Sequence, residues 1–94
     1  MTVAVVLLPG SLADLAGGRK HLDVAVDGGT LADLLDALAA DHPLLARRIR
    51  DETGRLRRFV NVYVDGDDVR YGDRESTALR NGAVVQVLPS IAGG

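Results

Sequence analysis

Four stretches of the chain have the apolar patterning of β-strands. Residues 3–8 are apolar without interruption, which predicts a strand in the middle of a sheet, buried on both faces. Residues 21–27 alternate between apolar and polar side chains, which predicts an edge strand paired antiparallel with the first. Residues 59–64 and 84–88 also alternate, and a short extended segment is expected around residues 68–70.

One amphipathic helix is predicted by four leucines spaced at i, i+3, i+4 and i+7. They are Leu31, Leu34, Leu35 and Leu38. Thr30 precedes them at the N-cap position and Asp33 stands at N3, which predicts a capping box. The helix is expected to end near residues 41–42, because Pro43 disfavours a helical residue before it.

Weaker patterns predict the remaining connections. Residues 11–20 are expected to form a loop or a wide hairpin turn, because two glycines interrupt them. Leu44, Leu45 and Ile49 predict a short second helical turn packed against the core. Thr77 is expected to cap a single helical turn that runs as far as residue 79.

The order strand, strand, helix, strand, short strand, strand predicts an α+β fold. In this fold one main helix packs on one face of a mixed sheet of about five strands, which is the ubiquitin-like β-grasp arrangement. Residues 1–89 are predicted to form this single β-grasp domain, and residues 90–94 to form a flexible C-terminal Gly-Gly tail.

The strand patterns also leave apolar side chains on the sheet face opposite the helix. Val85 and Val87 are expected to point into the core. Four residues are predicted to share the opposite face: Phe59, Tyr63, Val84 and Leu88. An exposed apolar patch on a small domain predicts a surface for docking a partner. The alternative is ordinary apolar surface, which needs no partner, and the sequence leaves both interpretations open.

Composition narrows the class of protein. Ninety-four residues, nearly half of them apolar, suffice for one domain whose core needs no disulfide or metal. The net charge of −2 gives no strong field that would attract nucleic acid or an anionic membrane. Cysteine is absent, which excludes disulfides and a thiol nucleophile. The apolar run at residues 3–8 is too short for a signal peptide or a membrane span, so a cytoplasmic protein is expected.

Residues 47–58 are rich in arginine. The six arginines are Arg47, Arg48, Arg50, Arg55, Arg57 and Arg58. One interpretation is a docking surface for an acidic partner, and the other is a solvated face partly neutralised by Asp51 and Glu52. Nucleic-acid binding is not expected, because aromatic residues for base stacking are scarce.

No set of residues for catalysis or metal binding is recognisable in the sequence. His21 and His42 lie far apart, and no cysteine accompanies either of them. Asp65, Asp67 and Asp68 lack the further ligand positions of a calcium-binding EF-hand loop, so a solvated turn is predicted instead. The protein is therefore expected not to be an enzyme and to hold no metal or bound cofactor.

The α-carboxylate of Gly94 is the reactive group that remains. The last strand ends at Pro89, which lacks the N–H needed to extend a sheet, and residues 90–94 would reach roughly 17 Å beyond it when fully extended. A carboxylate reacts with a nucleophile only after activation, most simply as an acyl-adenylate that another enzyme makes from ATP. Glycine suits this position because it has no Cβ to obstruct a narrow channel. A frayed terminus is the alternative.

Two segments together resemble the ThiS/MoaD family of sulfur carriers. Residues 81–94 have its pattern of a turn with glycine, an apolar strand, a proline and a final Ala-Gly-Gly. Residues 58–70 are similar to the CysO-type carriers, which supply sulfur for cysteine biosynthesis. The arginine-rich segment at residues 47–58 departs from the shortest thiamin-type carriers.

The resemblance implies a function for the C-terminus. An E1-like enzyme of the MoeB/ThiF type would use ATP to adenylate Gly94, which would then become a thiocarboxylate that donates sulfur to cysteine, a cofactor or a natural product. Ile91, Ala92 and Gly93 would be required for this activation. The implied partners also include a sulfur-accepting synthase, which is PLP-dependent in CysO-type systems, and a metalloprotease that releases the product. The alternatives are a ubiquitin-like modifier conjugated through Gly94 and the small subunit of molybdopterin synthase.

Overall fold

The computed structural model describes residues 2–89, and its strands and main helix follow the predicted order. The strands are β1 (Thr2–Leu7), β2 (His21–Val26), β3 (Val60–Val64), β4 (Asp67–Asp68) and β5 (Val84–Pro89). The helices are α1 (Gly10–Ala13), α2 (Leu31–Asp41) and α3 (Pro43–Ile49). Three 3₁₀ turns span Asp14–Ala16, Val69–Tyr71 and Arg74–Ser76. The predicted tail at residues 90–94 lies outside the described residues.

The five strands form one sheet in the order β2-β1-β5-β3-β4. Strands β1 and β5 are parallel, and the other three neighbouring pairs are antiparallel. The sheet is therefore mixed, and β2 is an antiparallel edge strand beside β1, as predicted. With α2 packed on one face, this arrangement confirms the ubiquitin-like β-grasp.

Alternate strand residues and the apolar sides of all three helices meet in one core. The strands contribute Ala4, Val6, Leu22, Val26, Val60, Val62, Val64, Val85 and Val87. The helices contribute Leu12, Ala13, Leu31, Leu34, Leu35, Leu38, Leu45 and Ile49. The prediction that Val85 and Val87 point inward is confirmed, since each is only 1% exposed. All three helices therefore pack on the same side of the sheet.

Two predictions about burial were wrong. The strand at residues 3–8 is central, but it is buried on one face only: Val3 is 36% exposed, and Val5 and Leu7 are half-buried. Helices cover one side of the sheet, so alternate residues of β1 stay at the surface on the other side. Leu44 does not pack against the core, because it lies on the outer side of α3 and is 63% exposed.

Of two predictions about connections, one was confirmed in part and one was wrong. Residues 11–20 lie in the wide connection between the antiparallel strands β1 and β2, as predicted, but they are not simply a loop, because α1 and a 3₁₀ turn place Leu12 and Ala16 in the core. Thr77 closes a helical turn instead of opening one. Its N–H and its hydroxyl both donate to the carbonyl oxygen of Arg74, at 3.1 and 2.6 Å. The Thr77 carbonyl accepts from the Leu31 N–H at 2.9 Å and so holds the first turn of α2.

The predicted capping box at the start of α2 is complete. Thr30 Oγ1 accepts a hydrogen bond from the backbone N–H of Asp33 at 3.2 Å. Asp33 Oδ2 accepts in return from the backbone N–H groups of Thr30 and Gly29, at 3.1 and 3.0 Å, and from the Thr30 hydroxyl at 2.9 Å. These hydrogen bonds lower the pKa of Asp33, and the bond from the Thr30 side chain contributes most.

Thr30→Ala is expected to lower the free energy of unfolding by about 0.5–2 kcal/mol, because α2 loses its N-cap. Asp33 has a lower pKa in the folded than in the unfolded chain. Its contribution to stability is therefore complete above roughly pH 4, the unfolded pKa, and is lost as the pH falls through the folded pKa. Since Thr30→Ala removes the largest cause of the lowered pKa, the variant should lose less stability on acidification than the wild type.

Urea denaturation at neutral and at acidic pH measures both effects. Ser11→Ala is the control, because Ser11 is exposed in α1 and its change should stay within about 0.5 kcal/mol. If Thr30→Ala kept the full acid sensitivity of the wild type, the capping box would not be the source of the Asp33 contribution.

Candidate functional site

The end of β5 is the point from which the predicted tail continues. Strand β5 lies between β1 and β3, and Pro89 pairs with Val60 at the start of β3. On the β1 side the pairing ends earlier, with Leu7 opposite Gln86. The tail therefore starts from an internal strand whose last three residues are paired with β3 only. The residues predicted for activation lie outside the described range: Ile91, Ala92, Gly93 and Gly94.

The start of β5 is also held in place. Val84 donates its N–H to Asp65 Oδ1 at 2.9 Å, and the Asp65 N–H donates to the Val84 carbonyl at 2.8 Å. The Val5 N–H donates to the Ala83 carbonyl at 2.8 Å. Strand β5 is thus tied to the β3–β4 turn and to β1, so the strand that carries the tail is held along its whole length.

Three of the four residues predicted for partner docking share the outer face of the sheet. Tyr63 of β3 alternates with buried residues, as do Val84 and Leu88 of β5. Val84 is 38% exposed, and Tyr63 and Leu88 are half-buried. Phe59 precedes β3, is 54% exposed and lines a groove together with Pro89. The structure therefore brings the first three together and places Phe59 in the groove beside the end of β5.

Strand β1 adds apolar residues to this face that sequence reasoning missed. Its parallel register places Val5 opposite Val84 and Leu7 opposite Gln86, so outward residues of both strands share one side. The unbroken apolar run at residues 3–8 could have indicated them. A single layer of helices covers only one face of a sheet, so alternate residues of this run must lie on the other face. We define the outer apolar face as Val3, Val5, Leu7, Tyr63, Val84 and Leu88.

A groove of about 1060 Å³ opens where β5 ends. Six arginines line it and define what we call the arginine groove: Arg48, Arg55, Arg57, Arg58, Arg70 and Arg74. Only four of them come from the arginine-rich segment at residues 47–58. Arg47 and Arg50 do not line the groove, and Arg50 pairs with Asp36 instead. Two 3₁₀ turns contribute Arg70 and Arg74, which the sequence pattern gave no reason to include.

Two carboxylates, those of Asp51 and Glu75, also line the arginine groove, and both accept hydrogen bonds from backbone N–H groups. Asp51 Oδ1 accepts from the Thr53 N–H at 2.9 Å, from the Thr53 hydroxyl and from the Arg55 N–H at 3.3 Å. These bonds lower the pKa of Asp51, and the bond from the Thr53 side chain contributes most. Glu75 Oε2 accepts from the Leu56 N–H at 3.0 Å. Both carboxylates therefore shape the loop that carries the arginines.

The histidines lie closer together than their sequence positions indicate. His21 and His42 line one cleft of about 280 Å³, in which His21 Nε2 lies 3.0 Å from Asp23 Oδ1. Within residues 2–89 no three His, Asp or Glu side chains lie close enough to hold a metal ion. No helix in this part of the chain is both long and apolar enough to cross a membrane.

Of the three acidic residues after β3, Asp65 lies in the predicted turn, and Asp67 and Asp68 form the short strand β4. Asp65 adopts a φ of 51° and its carboxylate accepts from the Val84 N–H, as described above. Asp68 Oδ1 accepts from the Arg70 N–H at 2.9 Å. Asp67 is exposed. The Asp65 carboxylate therefore ties the turn to β5, and the Asp68 carboxylate holds the backbone two residues farther on.

Sequence comparison places the chain among small carrier and modifier proteins. The sequence model of the ThiS family matches residues 6–94. The sulfur carrier protein CysO of Mycobacterium tuberculosis is 37% identical over 91 residues, which cover 95% of this chain and 96% of that protein. Small archaeal modifier protein 1 of Haloferax volcanii is 38% identical over 84 residues, which cover 88% of this chain and 91% of that protein.

Structure comparison agrees with the sequence. The crystal structure of Mycobacterium tuberculosis CysO superposes with a TM-score of 0.82 and 33% identity, and the match covers 94% of this chain and 99% of that chain. In the Amycolatopsis orientalis BexX/CysO complex, the matched chain has a TM-score of 0.79 and 32% identity, with 97% and 99% covered. The likeness extends over almost the full length of each protein, so it includes the whole β-grasp domain.

Proposed function

Because the chain belongs to the ThiS family, we propose that it is a sulfur carrier whose C-terminal Gly94 becomes a thiocarboxylate. One observation supports this most strongly: the family match extends through Gly94, so it includes the Gly-Gly terminus as well as the fold. The relatives described above are carrier and modifier proteins, not catalysts. In the proposed role the chain is a co-substrate of partner enzymes.

The chemistry begins at the α-carboxylate of Gly94. One carboxylate oxygen attacks the α-phosphorus of ATP, and pyrophosphate leaves. A sulfide nucleophile then attacks the carbonyl carbon of the acyl-adenylate, and AMP leaves with the electron pair of the broken C–O bond. An E1-like enzyme of the MoeB/ThiF type provides the ATP site, and the carrier provides only its terminal carboxylate.

In this proposal the tail carries the carboxylate away from the domain. Residues 90–94 span at most roughly 17 Å from the end of β5, which is far enough to enter a partner's active site. Ile91 and Ala92 connect the rigid strand to the glycines in this proposal. Gly93 and Gly94 present no Cβ to the walls of a narrow channel. The internal strand β5 supplies a fixed starting point, because its last residue, Pro89, is still paired with β3.

The outer apolar face and Phe59 are the proposed docking surface for these partners. Burying exposed apolar side chains against a partner is favourable and needs no rearrangement of the sheet. The partners are the adenylating enzyme, a sulfur-accepting synthase and, for a CysO-type pathway, a metalloprotease that releases the product. A role as the small subunit of molybdopterin synthase would use the same thiocarboxylate and would differ in the acceptor.

A second candidate function is conjugation to other proteins. The identity of 38% to small archaeal modifier protein 1 over 88% of this chain favours it. The same acyl-adenylate would then be attacked by a lysine amine in place of sulfide, which gives an amide at Gly94. Mass spectrometry of a lysate from the native cells tests this candidate, because only conjugation produces lysine residues linked to Gly94.

Thiocarboxylate formation has a direct test. The purified chain is incubated with its native adenylating enzyme, ATP and sulfide, and its intact mass is measured. The expected result is the mass increase for one oxygen replaced by sulfur, located by fragmentation at Gly94. Omitting ATP is the control, because the unactivated carboxylate does not react. No mass change with an adenylating enzyme that is active on another carrier would refute the proposal.

A further inference from the structure

The arginine groove combines a strong positive charge with apolar surface. Its six arginines line it together with apolar residues from α1, the segment between α3 and β3, β3 itself and the end of β5. These are Leu12, Leu56, Phe59, Val60 and Pro89. Phe59 is more than half exposed, so part of this apolar surface is open to solvent. A surface with these two properties fits an occupant that has carboxylates to pair with the arginines and, in addition, an apolar side chain to pack on the apolar residues.

Charge is distributed unevenly between this groove and the rest of the chain. The whole chain has 11 basic and 13 acidic residues, yet the groove is lined by six basic and two acidic ones. The remainder therefore has five basic and eleven acidic residues. A chain with a net charge of −2 thus presents one local positive surface, which attracts a negative partner and repels a positive one.

The carboxylates that line the groove offset only part of the charge of its arginines. Among residues 2–89, none of the six forms an ion pair within 4.0 Å. Arg57 and Arg70 donate to backbone carbonyls, and Asp51 and Glu75 are engaged by the backbone and Thr53. Asp51 attracts Arg57 and offsets part of its charge, and the like charges of the other arginines that line the groove repel one another. An acidic occupant would remove this repulsion on binding.

The position of the groove indicates which protein the occupant belongs to. Pro89 lines the groove and is the residue after which the predicted tail begins. A protein that receives Gly94 must place its active site within roughly 17 Å of Pro89, because five extended residues reach no farther. The groove lies within that distance, so it is one of the surfaces that such a protein can cover.

We propose that the arginine groove docks an acidic segment of the enzyme that adenylates the tail. Carboxylates of that segment pair with the arginines, and an apolar side chain of the same segment packs against Phe59 and Leu56. This inference rests on the proposed function, since that enzyme is the protein every carrier molecule binds before its tail reacts. The groove adds an electrostatic contact to the apolar contact of the outer face.

The test compares two double variants of equal charge change. Arg55→Gln with Arg58→Gln removes two groove charges whose side chains make no hydrogen bond within residues 2–89. Arg19→Gln with Arg80→Gln removes two exposed charges outside the groove, where the Arg80 pair with Asp65 at 3.5 Å is exposed and contributes little. Dissociation constants for the purified adenylating enzyme are measured without ATP at low and at moderate salt.

The groove variant should bind roughly tenfold more weakly at low salt, and its affinity should depend less on salt than that of the wild type. The control variant should bind within about twofold of the wild type. Equal weakening in both variants would overturn the proposal, because only net charge would then matter. Unchanged binding in both would overturn it as well.

A second measurement separates this occupant from the chain's own tail. The arginine Nε–Hε signals of the free full chain are compared by NMR with those of a chain lacking Gly93 and Gly94. Unchanged groove signals support an external occupant, and a shift of the Arg55 and Arg58 signals would overturn the proposal in favour of the tail carboxylate.

The two proposals fail in different ways. If the wild type becomes a thiocarboxylate while both double variants bind normally, the docking inference is wrong and the proposed function holds. If binding depends on the groove but the wild type is never converted, the docking inference holds and the proposed function is wrong.

Discussion

Deleting Gly93 and Gly94 is expected to abolish formation of the thiocarboxylate and to leave the stability of the domain unchanged. The deletion removes the carboxylate that is proposed to react and shortens the reach of the tail. Glycine has no side chain to bury, and the described core extends only from Ala4 to Val87. Intact mass spectrometry should detect no conversion, while the free energy of unfolding in urea should change by less than about 0.5 kcal/mol.

Ser90→Ala is the matched control for this deletion. It changes the tail without altering its length or its terminal carboxylate, so conversion should proceed as in the wild type. Normal function of the deleted chain in its native cells would mean that the tail is inert and that the protein is a β-grasp interaction domain. A large loss of stability on deletion would mean instead that the glycines contribute to the fold.

Val84→Gln with Leu88→Gln is expected to weaken binding to the adenylating enzyme by about tenfold or more. Both residues lie on the outer apolar face of β5, and Gln86 already stands between them, so the strand tolerates glutamine at an outward position. The change removes apolar area that the partner would cover, while Val85 and Val87 keep the core intact. Isothermal titration calorimetry measures the affinity, and circular dichroism checks the fold.

Leu44→Gln is the control for this surface. Leu44 is 63% exposed on α3, which packs on the opposite side of the sheet, so its loss should leave binding unchanged. If the β5 variant bound as tightly as the wild type, the outer face would be ordinary apolar surface. Equal weakening in both variants would indicate a non-specific apolar interaction.

Sequence rules that relate neighbouring residues were sufficient to predict the elements that are specified by short sequence patterns. The leucine spacing and the Thr30–Asp33 capping box predicted α2, because each interaction joins residues one turn apart. The alternation in residues 59–64 and 84–88 predicted which valines of β3 and β5 are buried. The Gly-Gly ending and the resemblance to sulfur carriers also came from the sequence.

Local rules failed where distant segments meet. The run at residues 3–8 looked fully buried, because nothing in its own sequence shows that all helices pack on the other side of the sheet. Leu44 has the same apolar character as Leu45, and only the orientation of α3 places one in solvent and the other in the core. Thr77 has a hydroxyl that could cap a helix. In the structure it follows a 3₁₀ turn, and its carbonyl accepts a hydrogen bond from Leu31 at the start of α2, a residue distant in the sequence.

The sequence by itself determined the β-grasp fold, the amphipathic helix α2 and the candidate reactive carboxylate of Gly94. It did so because hydrophobic periodicity, capping and a terminal Gly-Gly are properties of neighbouring residues. Only the tertiary structure decided which surfaces lie beside the tail. The parallel pairing of β1 with β5 assembled the outer apolar face, and two 3₁₀ turns brought Arg70 and Arg74 to the arginine groove. These surfaces are made of segments distant in the chain, so their composition follows from packing and not from any local pattern.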